Sequence, residues 1–234
     1  MSQSFSLVDL LAVADLQTYL SRAARVEEGS VRLIAGSGVL AVYTAILYPR
    51  GLMDETPTVL GLRTFATGED VEFDVVVPIR SLLDRVARVR ESAEAAEAAG
   101  SEGTGAEPIE IRLPLEVSTV TWAGISPPRG GWQKVGETSS ALLQSTAKAG
   151  AAEVAEAVPT GTGEQLVQRV RAEVWGRPID DLEYIPAGAA FAADSLGFVG
   201  DDDTVTIHET GRWTRLTTRR GHTLVRRQAW TLRR

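Results

Sequence analysis

The chain of 234 residues contains no cysteine, and His208 and His222 are its only histidines. Without cysteine, disulfides, thiolate zinc sites, iron–sulfur clusters and cysteine nucleophiles are excluded. Two histidines without a matching carboxylate spacing do not make a metal site, and no Gly-x-Ser-x-Gly motif presents a serine nucleophile. We therefore predict that the protein is not an enzyme, binds no metal and needs no cofactor.

Long hydrophobic runs are also missing. No stretch approaches the roughly 18 uncharged apolar residues that a membrane-spanning helix needs. Asp9 and Asp15 interrupt the N-terminal 20 residues, which lack a positively charged leader, so we expect no signal peptide. Apolar residues at 44% and charged residues at 24% are ordinary for globular proteins. These features predict a cytoplasmic protein without a membrane partner.

Two similar helices predict a duplicated unit in the first half of the chain. Residues 16–26 and 79–89 both repeat apolar residues at three- and four-residue steps, and they share identical residues at five aligned positions. Predicted strands follow each helix, at 31–35 and 39–43 in the first copy and at 109–113 and 117–121 in the second. Two further strands are predicted at 58–66 and 71–78.

That order of elements, together with Phe73-Asp-Val-Val-Val-Pro-Ile-Arg-Ser-Leu-Leu83, resembles one domain of the bacterial DNA-polymerase sliding clamp. The resemblance covers residues 5–126 and implies a pseudo-duplicated domain of helices on an antiparallel sheet. A clamp chain carries three such domains, and this chain is expected to have room for one. A generic α+β sheet domain is the alternative.

Residues 124–132 predict a domain boundary, because two prolines and three glycines remove hydrogen-bond donors and regularity from a sheet. The predicted organisation is an α+β duplicated sheet domain at 1–126, a Pro/Gly linker at 127–136 and a second domain at 137–234. In the second domain we predict helices at 138–158, from a capping box at 162–165 to Gly176, and from Pro186 to Gly197. Strands are predicted at 204–209, 213–217 and 222–226.

Three helices followed by a basic hairpin is the order of a winged helix, which the second half resembles. As a whole, the chain also resembles uncharacterised proteins of high-GC actinobacteria, which share phrases such as Gly211-Arg-Trp-Thr-Arg-Leu216 and Gly221-His-Thr-Leu-Val225. That second resemblance implies no activity. The predicted fold class is α+β throughout.

Charge is distributed unevenly along the chain. The formal net charge is −7, yet the last 24 residues hold eight arginines and no acid. Because those arginines contribute +8, the first 210 residues carry −15. A basic end with Trp213 and Trp230 is expected for a surface that contacts a polyanion or an acidic protein partner.

The sharper hypothesis is non-catalytic binding of nucleic acid, with the guanidinium groups of this basic hairpin neutralising phosphates. The helix that begins at Pro186 holds Asp194 and no Arg or Lys, so sequence-specific reading of the major groove is disfavoured. Asp201 to Asp203 would also repel phosphate. The predicted nucleic-acid contacts are Trp213, Arg215, Arg219, Arg220, Arg226 and Arg227.

Two alternatives stay open. The arginines could protect an edge strand against aggregation or pair with the acidic part of the same chain. The protein could also be an interaction or assembly module that binds no nucleic acid. In that case the acidic body of one copy meets the basic end of another, and the chain forms a homo-oligomer.

Overall fold

A computed structural model describes residues 3–51, 54–98, 108–117, 120–159, 161–200 and 202–227. As predicted, they form an α+β protein, and it divides into two compact units. The N-terminal unit comprises Met1–Thr44 and Arg63–Ala123, and the C-terminal unit comprises Ala45–Leu62 and Gly124–Arg234. No helix among the described residues has the length and apolar character needed to cross a bilayer.

The N-terminal unit is a helix pair on antiparallel strands. Its elements are β1 (Ser4–Leu7), α1 (Leu10–Val26), β2 (Ser30–Gly36), most of β3 (Val39–Leu47), the second part of β4 (Thr58–Ala66), β5 (Phe73–Pro78), α2 (Ile79–Ala98) and β6 (Ile109–Arg112). Strand β2 pairs with β3 and β5, and β1 pairs with β6. Helices α1 and α2 pack on each other, and their buried side chains include Leu16, Leu20, Leu82 and Val86.

Strand, helix, strand recurs in this unit as β1–α1–β2 and β5–α2–β6. Asp9 begins α1, because its carboxylate accepts a 2.7 Å hydrogen bond from the Ala12 amide.

The sequence prediction missed β1. It was also wrong for the strand at 117–121, of which 118 and 119 lie outside the described residues. Pro114 follows β6, the Val117 amide donates to the Val76 carbonyl at 2.8 Å, and a 3-10 helix begins at Thr121.

In its described residues, the C-terminal unit combines three helices with an antiparallel sheet. Its elements, besides the first part of β4, are β7 (Gln133–Ser139), α3 (Ser140–Ala157), α4 (Glu164–Gly176), β8 (Pro178–Ile179), β9 (Leu182–Pro186), α5 (Ala187–Ser195), β10 (Thr204–Thr210), β11 (Trp213–Thr217) and β12 (His222–Arg226). Neighbouring strands follow the order β4-β12-β11-β10-β7. The short strands β8 and β9 pair separately.

The helices and the last three strands of this unit match the predictions, but the winged helix is not confirmed. Strand β7 was not predicted, begins within the predicted linker at 127–136, and pairs with β10. Strand β12 pairs with β4 and β11, so the basic hairpin is part of a larger sheet and not a projecting wing. The domain boundaries at 126 and 137 stay predictions, while Ala45–Leu62 group with the C-terminal unit.

The predicted capping box at 162–165 was wrong in detail. Helix α4 begins at Glu164 with Gly163 as its N-cap, and no side chain caps it. The Thr162 hydroxyl donates instead to the Pro159 carbonyl at 2.6 Å. Thr162 therefore stands one residue before the N-cap, outside the position that a capping box requires.

Helix α4 is fixed near its C-terminal end by Trp175. The indole ring stacks on Phe191 of α5 with 4.3 Å between ring centroids. It also lies over Gly150 of α3, where an added Cβ would stand 2.3 Å from the Trp175 ring. Only a residue without a side chain fits there, so Gly150 is required for this close approach. The first half of α4 is mostly exposed.

Candidate functional site

The basic hairpin formed by β11 and β12 contains all six predicted nucleic-acid contacts. Trp213 is only 5% exposed, so its ring packs in the sheet and cannot stack on a base. Arg219 pairs with Asp203 at 2.7 Å. Arg227 pairs with Glu209 at 3.1 Å and donates to the Gly211 carbonyl at 2.7 Å. Trp213, Arg219 and Arg227 are therefore already engaged within the chain.

The other three arginines differ in setting. Arg220 is exposed at the turn, where its backbone amide donates to the Thr218 hydroxyl at 3.1 Å. Arg226 is half-buried at the end of β12, in register with Thr58 and Trp213. Arg215 is half-buried in the middle of β11. The structure thus supports pairing within the chain for Arg219 and Arg227. Trp230 lies outside the described residues.

Protection of an edge strand does not explain these arginines. Strands β11 and β12 both have a strand on either side, and β7 is the last strand in the order. The expectation of an edge at the hairpin was wrong because β4 and β10 flank it. Two interior strands need no charged side chains to prevent association through free backbone groups.

Arg215 is the centre of a group of polar side chains. Its guanidinium lies 4.5 Å from the ring centroid of Trp132, within range of a cation–π interaction. The Trp132 indole is held by a 3.0 Å hydrogen bond from Nε1 to the Pro128 carbonyl. His208 stands directly opposite Arg215 on β10, and His222 opposite Thr217. The two histidines are thus on either side of β11 and are not direct cross-strand neighbours.

Both histidines favour their neutral forms. Burial, with a smaller contribution from the positive charge of Arg215, lowers the pKa of His222 to about 4. The same two causes, in the same order, lower the pKa of His208. Burial also lowers the pKa of Arg215. Nε of Arg215 and Nδ1 of His208 are buried without a hydrogen-bond partner.

A second feature of the C-terminal unit is a pocket of about 540 Å³. Much of its wall is apolar, with Pro57, Ala172, Pro178, Tyr184, Pro186 and Val225. Its charged residues are Asp54, Glu55, Arg169, Glu173, Arg226 and Arg227. Sequence reasoning missed this pocket, because its residues come from four separate segments of the chain.

The charged side chains around the pocket differ in their partners. Asp54 accepts hydrogen bonds from the amides of Arg50 at 2.8 Å and Thr56 at 2.9 Å, and these bonds outweigh its partial burial and lower its pKa. Glu173 pairs with Arg177 at 3.3 Å. Within the described part of the chain, Arg169 and Arg226 form no ion pair. The three carboxylates and three guanidinium groups of the lining sum to no net charge, and Arg169 and Arg226 are, in that described part, the guanidinium groups of the lining without an ion pair.

Each half of the chain matches a family of domains of unknown function, and the fold resembles known structures. Residues 1–104 match a domain of unknown function (DUF8010), and residues 127–230 match another domain of unknown function (DUF8185). A search of curated proteins finds no match. The DNA polymerase sliding clamp from Caulobacter crescentus is similar in structure, with a TM-score of 0.51, 11% identity, and coverage of 99% of this chain and 67% of the clamp.

The DNA polymerase III subunit beta from Borrelia burgdorferi gives the same result, with a TM-score of 0.51, 6% identity, and coverage of 97% and 65%. The chain has a sliding-clamp-like fold. The predicted resemblance to a sliding clamp agrees with the fold of these structures. The prediction limited it to residues 5–126, whereas the structural similarity covers nearly the whole chain. The C-terminal half shares the fold, and the chain spans about two thirds of the length of these proteins.

Proposed function

We propose that this protein is a non-catalytic interaction module whose C-terminal unit binds an acidic, partly apolar segment of a partner protein. The observation that supports this most is the pocket lined by α4, β9 and the end of β12. It combines an apolar wall with Arg169 and Arg226, the two guanidinium groups without an ion pair there. Apolar contact supplies affinity, and the arginines select for a carboxylate.

The walls of the pocket are suited to an extended segment. Pro57, Pro178 and Pro186 have restricted backbones, and Arg226 extends from a strand that is paired on both sides. A wall held in place loses little conformational freedom when a ligand binds, which favours affinity. The sliding-clamp-like fold is compatible with a role in binding and does not by itself identify the partner.

The test uses fluorescence anisotropy with a labelled octapeptide of alternating Asp and Leu. We expect saturable binding that weakens at least about tenfold in Arg169→Gln/Arg226→Gln, because a buried carboxylate loses its partner. Arg129→Gln, on an exposed loop residue, is the matched control and should bind like the wild type. Equal binding of an octapeptide of alternating Lys and Leu would overturn the proposed charge selection.

Nucleic-acid contact through the basic hairpin is a second candidate. Arg212 and Arg220 are exposed, and they support it. Arg219 would first have to leave Asp203. Anisotropy with labelled duplex and single-stranded DNA at two salt concentrations tests it, since phosphate contacts weaken steeply with salt. Binding that is lost in Arg219→Ala/Arg220→Ala supports the candidate, and no binding at low salt removes it.

Self-assembly is the remaining form of the interaction hypothesis. Light scattering at two salt and two protein concentrations measures it directly. A mass that rises with concentration and falls with salt would indicate that the acidic part of one copy meets the basic end of another. A constant monomer mass would leave the partner segment as the proposed ligand.

A further inference from the structure

We infer that the sheet face around Arg215 is a binding site for a phosphate group. We call it the Arg215 site and define it by Trp132, Lys134, His208, Arg215 and His222. None of these residues lines the pocket, so this inference goes beyond the proposed interaction with a partner segment. All five belong to the C-terminal unit.

Strand register brings the basic side chains to one face. Lys134 of β7 pairs with His208 of β10, and His208 pairs with Arg215 of β11. Side chains of paired residues project from the same face of a sheet. His222 of β12 pairs with Thr217, which shares a face with Arg215 because the two are separated by one residue. Four nitrogen-bearing side chains from four strands therefore share this face.

Glu137, opposite Thr206, shares this face, but its carboxylate pairs with Lys134 and not with Arg215. Glu209 follows His208 directly, so it projects from the opposite face, where it pairs with Arg227. Glu137 pairs with Lys134, and both side chains are about half exposed, which makes that pair weak. Among the described residues Arg215 pairs with no acid. A half-buried guanidinium without an anionic partner is costly, and an anion from solution would relieve that cost.

Arg215 is held ready to receive such an anion. The Trp132 ring packs against its guanidinium, and Trp132 is itself fixed by the hydrogen bond to Pro128. This contact restrains the plane of the guanidinium. Because Nε is buried without a partner, the terminal nitrogens are the donors that remain for a ligand. A donor group with a fixed plane loses less conformational entropy on binding than a flexible one.

Several further donors favour phosphate over a carboxylate. Nδ1 of His222 lies 3.1 Å from the Thr217 hydroxyl. When that hydroxyl donates to Nδ1, the imidazole proton is on Nε2, which becomes a donor. The Arg215 fork, the Nε2–H group of His222 and the Lys134 ammonium provide donors on the same face of three strands, more than a two-oxygen group can use. A tetrahedral phosphate offers more acceptor oxygens to such donors.

The experiment uses the two histidines as reporters, because the full chain contains no others. Their Cε1–H signals are followed by 1H–13C NMR while inorganic phosphate is added at constant ionic strength. We expect both signals to shift and saturate together. In Arg215→Gln the apparent affinity should fall at least about tenfold, and Arg215→Lys should retain part of it. Arg129→Gln should match the wild type.

The absence of a saturable shift with phosphate in the folded wild type would overturn the inference, and so would equal shifts with acetate. Should Arg215→Gln fail to fold, His222→Gln and Lys134→Gln provide independent tests, and unchanged affinity in both would also overturn it. Adenosine monophosphate and an oligothymidylate then distinguish the source of the phosphate. Competition by the mononucleotide indicates a small-molecule ligand, and competition by the oligomer alone indicates a nucleic-acid backbone.

Discussion

The N-terminal and C-terminal units use similar orders of strands and helices but pack their helices differently. In the N-terminal unit, α1 and α2 contact each other, and both bury aliphatic side chains such as Leu16 and Leu82. In the C-terminal unit, α5 is built from alanine and glycine with few larger residues, and both α3 and α4 pack on it. The small side chains of α5 give room for the additional helix α4, whose bulk is concentrated in Trp175.

The two units therefore differ in how their helices are stabilised: by several aliphatic side chains in the N-terminal unit, and mainly by one tryptophan in the C-terminal unit. Several aliphatic side chains of the N-terminal helices are fully buried, so we expect no single one to dominate the stability of that helix pair. In the C-terminal unit, one aromatic ring joins α4 to α3 and α5. Because α4 also supplies Arg169 and Glu173 to the pocket, its docking determines whether the proposed binding site exists.

The largest expected effect is that of Trp175→Ala. Removing a buried tryptophan leaves a cavity and typically costs about 3–5 kcal/mol. We expect a loss of about 4 kcal/mol in the free energy of unfolding, measured by urea titration, with faster amide exchange in α4. Leu166→Ala, on a half-exposed residue of the same helix, is the control and should change stability by less than about 0.5 kcal/mol. Similar losses in both variants would contradict stabilisation mainly by one tryptophan.

The second largest effect is expected from lowering the pH, which should destabilise the folded protein through protonation of His222. Its folded-state pKa is about 4 against an ordinary value of 6.5, so between these pH values the unfolded chain binds the proton that the folded chain excludes. Stability therefore falls as the pH drops from 6.5 towards 4, by up to about 3 kcal/mol. His222→Gln should remove most of that slope in urea titrations at pH 7 and pH 4.5. An unchanged slope would show that carboxylates cause it.

Gly150→Ala should have an intermediate effect. The added methyl group would overlap the Trp175 ring, and overpacking of this kind costs about 1–3 kcal/mol. Replacing a glycine within a helix by alanine also stabilises the helix by about 1 kcal/mol, because alanine has the higher helix propensity. We expect a net loss of about 1–2 kcal/mol, measured by thermal unfolding. Gly136→Ala, where an added Cβ meets no atom within 4 Å, is the control. A stabilised Gly150→Ala variant would contradict the tight approach of α4.

The smallest effect is expected in the N-terminal unit, from Tyr19→Phe. The buried phenol hydrogen-bonds the Thr44 hydroxyl at 2.9 Å, and burial raises its pKa. Removing the hydroxyl group leaves the aliphatic packing in place and should cost about 1 kcal/mol. The double variant Tyr19→Phe/Thr44→Val should be less destabilised than the two single effects added together. A loss above about 3 kcal/mol would show that this unit also depends on one side chain.

The periodicity of apolar residues in the sequence predicted most helices and strands. It missed strands, such as β7, that exist only because they pair with a neighbouring strand. The strands from 204 to 226 show clear two-residue alternation and were predicted within a residue or two. Strand β7 is polar and largely exposed, so alternation could not reveal it, and only its pairing with β10 makes it a strand. The strand predicted at 117–121 has a favourable composition, but Val117 contacts the edge of β5 without forming a strand.

The amino-acid sequence by itself determined the α+β class, the absence of cysteine chemistry and the concentration of arginine at one end. These properties follow from composition and from periodicity over a few residues. The tertiary structure decided which arginines are neutralised, since Asp203 and Glu209 lie 16 and 18 residues from Arg219 and Arg227. It also decided that two histidines lie beside Arg215, because strand register, and not sequence distance, determines which side chains share a face.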